Sequence, residues 1–65
     1  MENKLWKNIK RYMELRGFKT ITDLAEATGI SRQSLQRMKK EGTARMESLD
    51  KLAAKFGIDR AMLVS

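Results

Sequence analysis

Glycines at positions 17, 29, 42 and 57, in a 65-residue chain with no proline, cut the sequence into segments of one short helix each. Before Gly17, Leu5, Ile9, Tyr12 and Met13 recur at three- and four-residue spacing and mark the buried face of a first helix. Thr20 and Asp23 form a capping-box pattern, with the acid one carbon shorter than usual, and predict a second helix from that point. Its inner face would carry Ile21, Leu24, Ala25 and Thr28. Ser31 is a suitable N-cap for a third helix running to about Lys40. Thr43 is placed to cap a fourth, with the regular stripe Met46, Leu49, Leu52, Ala53 and Phe56. Asp59 would then cap a last short turn holding Met62 and Leu63. No window alternates apolar and polar residues long enough to predict a strand. The expected fold is all-α, a bundle of five short helices, with residues 1–65 forming one domain without linker or repeat.

A chain this short buries only about 60% of the surface it exposes when unfolded, so extra support such as a second copy is expected. Cysteine and histidine are both absent, which excludes disulfides and zinc sites of the Cys₂His₂ type. No cofactor or metal is expected. Enzymatic activity finds no support either: the eight acids are scattered over helix surfaces and caps, with no carboxylate pair for general acid–base work. The N-terminal stretch lacks the continuous apolar core of a signal peptide, and no run is long enough to span a bilayer, so a cytoplasmic protein is the simple expectation. Lys4, Lys7, Lys10 and Arg11 make the first helix basic, but its apolar stripe is too short to favour a membrane surface. Trp6, beside that stripe, reads as a packed residue, and the five methionines read mostly as core fillers. The formal net charge of +6 favours anionic partners, nucleic acid foremost.

Residues 24–40, LAEATGISRQSLQRMKK, sharpen that choice. Gly29 stands where a helix end wants a left-handed residue, and Ala25, one turn earlier, allows two helices to cross closely. Ile30 in the turn, with Leu35 and Met38 beyond it, would anchor the third helix to the core. The offsets together specify a tight helix-turn-helix. At about 100° per residue, Arg32, Gln33, Gln36, Arg37 and Lys40 fall opposite the anchors Leu35 and Met38. Arginine matches guanine O6 and N7 in a bidentate fork, and glutamine matches adenine N6 and N7. A merely solvated face usually mixes Glu with Lys, whereas Ser31 to Lys40 contains no acid.

With MESLDKLAAKFGIDRAML following, the chain resembles the lambda-type phage repressor and Cro helix-turn-helix family, also called the xenobiotic-response-element type. The resemblance implies that the third helix enters the major groove of double-stranded DNA with its N-terminal half toward base edges. By position it assigns base contacts to Arg32, Gln33 and Arg37, with Gln36 a weaker candidate. Phosphate contacts fall to Ser31, Ser34, Lys39, Lys40, Thr43 and Arg45, helped by the positive ends of the second and fourth helices. Two departures stand out. Ile21 occupies the place where a polar residue commonly meets phosphate, so Thr20 or Thr22 would substitute. The Arg–Glu pair that joins the first and third helices in many members is replaced by Met13 and Lys39, an apolar substitution that need not cost stability.

The resemblance further implies a Cro-like repressor in a bacterial host, bound as a homodimer to a near-palindromic operator. A chain ending soon after the fifth helix favours Cro over a full-length repressor with a second domain. Dimer contacts would come from Phe56, Ile58, Arg60, Met62 and Val64, residues that fit core closure equally well. An antitoxin or restriction-system controller would look similar from sequence. A protein-interaction module on the same fold is the alternative from another class.

Overall fold

The computed structural model describes residues 2–65. Among these, five helices follow one another without a strand: α1 (Lys4–Arg16), α2 (Ile21–Thr28), α3 (Arg32–Glu41), α4 (Met46–Phe56) and α5 (Ala61–Val64). The expected all-α architecture is therefore present. α1 lies across α3, α4 and α5, and α2 packs on α3 and α4.

Local sequence accounts for the first three helix starts. Asn3 Oδ1 accepts the Trp6 N–H at 2.8 Å and caps α1. At α2, Thr20 Oγ1 accepts the Asp23 N–H while Asp23 accepts the Thr20 N–H, so the shortened capping box closes as expected. Ser31 caps α3 by accepting the Ser34 N–H. Helix α3 runs one residue past the expected end and finishes on Glu41.

The core draws Leu5, Trp6, Ile9 and Met13 from α1, Leu24 from α2, Leu35 and Met38 from α3, and Leu49, Leu52, Ala53 and Phe56 from α4. Leu63 closes it from α5, and Ile30 enters from the α2–α3 turn. No charged or polar side chain is buried among the described residues. Trp6 is packed rather than offered to solvent, as its place beside the stripe suggests.

Four expectations need correction. Thr43 does not cap α4; residues 42–45 are non-helical and the helix starts after Arg45, which makes no side-chain cap bond. In that connection Ala44 packs against the core, and Arg45 is extended at φ −72° and ψ 151°. Asp59 does not cap α5; its carbonyl accepts the Met62 N–H while Arg60, already helical in φ and ψ, takes the cap position. Met46 is 58% exposed and Met62 43%, so only Met13 and Met38 of the described methionines are core fillers, and Met1 lies outside the described residues. Finally, Phe56 is fully buried, stacked on Tyr12 at 5.8 Å and edge-on to Phe18 at 6.1 Å between ring centroids. It belongs to the core and has no surface to give a dimer contact.

Candidate nucleic-acid interface

The α2–α3 connection occupies only Gly29, Ile30 and Ser31. Gly29 adopts φ +78° and its N–H donates to the Ala25 carbonyl at 2.9 Å, closing α2 in the left-handed conformation that glycine takes without steric cost. Thr28 supports the same turn. Its hydroxyl donates to the Leu24 carbonyl at 2.8 Å and accepts the Ile30 N–H at 3.2 Å. Ile30 is thereby directed into the core, and the chain re-enters a helix at once on the Ser31 cap.

That short turn fixes which side of α3 is covered. Leu35 and Met38 are buried, while Arg32, Gln33, Ser34, Gln36, Arg37, Lys39 and Lys40 are all exposed. None of the α3 cations pairs with an acid among the described residues; the ion pairs there join Lys10 to Glu2, Lys51 to Glu47 and Arg60 to Asp50. The four charged donors of α3 are thus held outward on a rigid helix with no internal acceptor. Such a surface is suited to an anion that brings its own acceptors.

The structure gathers some of the expected phosphate residues and separates others. A cleft of about 550 Å³ opens between α3 and the start of α4, and Ser31, Ser34, Arg37, Thr43 and Arg45 all line it. Lys51 adds a cation, and Glu41 and Glu47 add acids that partly offset the charge. Ser31 is committed twice: it accepts the Ser34 N–H and donates to Ser34 Oγ at 2.9 Å. Ser34 keeps its own hydroxyl proton for an outside acceptor. Arg37 stands in the same cleft as Thr43 and Arg45, which puts it within the domain's cationic border as well as on the outer face of α3.

Lys39 and Lys40 lie in the last turn of α3 and are not among the residues that line this cleft. Thr20 and Thr22, at the start of α2, are both exposed. Thr20 Oγ1 is already an acceptor within the capping box, and the Asp23 carboxylate beside it opposes a second anion at that helix end. No group of three His, Cys, Asp or Glu among the described residues is arranged to hold a metal ion. Among the described residues, no helix is long and apolar enough to cross a membrane.

Sequence reasoning assigned no role to Asn3, whose side chain reaches the C-terminal turn of α3. The local signal, an asparagine just ahead of an apolar helix, announces a cap; nothing local announces the second contact.

The family model for the Cro/C1-type HTH DNA-binding domain matches residues 8–61, which include all of α2, α3 and α4. Comparison with curated proteins and comparison with solved structures each returned no match. With that match over most of its length, the chain belongs to the Cro/C1-type helix-turn-helix DNA-binding domains.

Proposed function

We propose that this DNA-binding regulator is a Cro-like repressor of phage type, acting as a single domain in a bacterial cytoplasm. It would read a near-palindromic operator as a homodimer. Arg32, Gln33 and Arg37 are assigned to base edges, with Gln36 beside them. Ser34, Thr43 and Arg45 are assigned to one phosphate stretch, Lys39 and Lys40 to another, and Ser31, Thr20 and Thr22 to supporting contacts. The observation that carries this reading is the outer face of α3, where exposed Arg, Gln and Lys side chains have no acidic partner among the described residues.

Two observations support the homodimer. The chain extends 23 Å along its longest axis, less than the ~34 Å helical turn that separates half-sites, so one copy covers one half-site. In addition, α4 and α5 border a cleft of about 770 Å³ that includes Met46, Leu49, Ile58 and Val64. Val64, 54% exposed, lines that cleft, and Met62, 43% exposed, lies outside its lining; both remain candidates for the dimer contact. Ile58 is half-buried against the core, and Arg60 holds Asp50 at 2.7 Å on the cleft rim.

Selection from a random oligonucleotide pool tests the reading. Enrichment of a two-fold symmetric site, with affinity falling steeply as salt rises, is the expected result. Absence of any preferred sequence would sink it. Arg37→Ala should relax discrimination at one base pair by about 1–3 kcal/mol. A uniform loss over all sequences would move Arg37 to the phosphate group instead.

A further inference from the structure

Asn3 uses both ends of its side-chain amide. Oδ1 accepts the Trp6 N–H at 2.8 Å and starts α1. Nδ2 donates to the Met38 carbonyl at 3.2 Å and to the Lys39 carbonyl at 2.8 Å, in the last turn of α3. One planar group thus caps the first turn of one helix and satisfies carbonyls in the last turn of another. Among the described residues these are the only polar links between residues 2–16 and α3. Asn3 also lies outside residues 8–61, the stretch that carries the family resemblance.

The neighbouring chain is shaped to receive it. Gly42 ends α3 with φ +75°, and its N–H donates to the same Met38 carbonyl at 2.9 Å. A Cβ at Gly42 would stand 3.0 Å from both Cβ and Cγ of Asn3, so the bare Cα of glycine leaves the space that the amide occupies.

The apolar contacts of α3 do not direct it as sharply. Leu35 and Met38 hold it down, but burial is non-directional and methionine adapts to more than one packing. Hydrogen bonds to two successive carbonyls are directional, and they fix both the rotation and the axial position of the helix end. The stakes are set by helix geometry. A roll of ~20° at a side-chain radius of ~6 Å moves a side-chain tip by ~2 Å, well beyond hydrogen-bond tolerance.

We propose that Asn3 is a positioning residue for DNA reading: its amide locks the roll of α3 against α1, and so sets where Arg32, Gln33 and Arg37 meet base edges. The role rests on the DNA-reading function above. The chemistry is specific to an amide. Aspartate caps a helix about as well as asparagine, yet it would set a carboxylate oxygen against the Met38 and Lys39 carbonyls. Serine also caps, without the reach to α3.

The experiment compares wild type, Asn3→Asp and Asn3→Ser in affinity for the selected site and for random DNA over a salt series. Residual dipolar couplings of α1 and α3 amides are measured without DNA. Both variants keep a cap for α1 and are expected to remain folded by circular dichroism. The ratio of selected-site to random-DNA affinity is expected to fall about tenfold or more in both, the scale of one bidentate base contact. In Asn3→Ser, which adds no charge, the salt slope should stay at the wild-type value, and the couplings should report a reoriented α3. An unchanged ratio in Asn3→Ser, or unchanged couplings, would overturn the positioning role, and a loss confined to Asn3→Asp would reduce it to a charge effect. A wild-type protein that selects no sequence would instead overturn the DNA reading, with any reorientation of α3 still visible in the couplings.

Discussion

Helices α1, α2 and α3 begin on Asn3, Thr20 and Ser31, each accepting a backbone N–H, whereas α4 and α5 begin on Arg45 and Arg60, which make no cap bond. The two groups are held by different physics. In the first, a hydrogen bond spanning three residues sets where the helix starts, and packing then seats it. In the second, no side-chain bond marks the start: α4 follows Ala44, which packs on the core, and Leu49, Leu52, Ala53 and Phe56 keep it in place. An uncapped N-terminus has a further consequence at α4. Among the described residues no side chain caps the first N–H groups of that helix, which lie next to Arg45 and the cleft shared with α3. A helix N-terminus favours an anion, although Glu47 in the first turn of α4 offsets part of that charge, as Asp23 does at α2.

The largest effect should come from removing packing where packing acts alone. Leu52→Ala empties a fully buried site in α4, and a loss of about 2–5 kcal/mol is expected in urea unfolding. For a domain of this size that is most of its stability. A loss below 1 kcal/mol in the same measurement would mean that α4 is held by something other than its apolar face.

Cap changes should act in opposite directions in the two groups. Thr20→Ala deletes an existing cap and should cost about 1 kcal/mol, read as a lower unfolding midpoint. Arg45→Asp installs a cap where none exists and should raise stability by about 0.5–2 kcal/mol. It should also weaken DNA binding. Arg45→Ala separates the two effects: stability nearly unchanged, and the slope of log affinity against log salt reduced by about 0.9 if Arg45 meets one phosphate. An unchanged slope would remove Arg45 from the interface.

The smallest effect belongs to the Arg60–Asp50 pair on the rim of the α4–α5 cleft. Both side chains are about half exposed, so Arg60→Ala should cost under about 1 kcal/mol in the monomer. Sedimentation would show whether it matters between copies. A shift in the monomer–dimer balance without a matching loss of monomer stability would place Arg60 in the dimer contact.

The same contrast divides what was legible in the sequence from what was not. Thr20 with Asp23, and Ser31 by itself, announced their helices because a capping oxygen meets an N–H only three residues on. Gly29, Ile30, Leu35 and Met38 announced the turn because their offsets are set by helix geometry within one hairpin. Thr43 and Asp59 misled for the complementary reason. Each is a good capping residue by type, but α4 starts after Ala44 has packed on the core and α5 starts with backbone bonds around Arg60, neither of which residue type announces. Phe56 was ambiguous between core and interface, since its place on the α4 stripe says only that it faces inward or toward a partner. Tyr12 and Phe18, far away in sequence, decide it.

By itself, then, the sequence determined the all-α class, the helix-turn-helix and the polar, acid-free outer face of α3 up to Lys40, all of which follow from interactions between residues a few positions apart. Only the tertiary structure decided that Phe56 is core, that Arg37, Thr43 and Arg45 share one cleft, and that Asn3 grips the end of α3. The first and last depend on contacts across 35 to 44 residues of chain, and the cleft on how two helices pack, none of which a local pattern encodes.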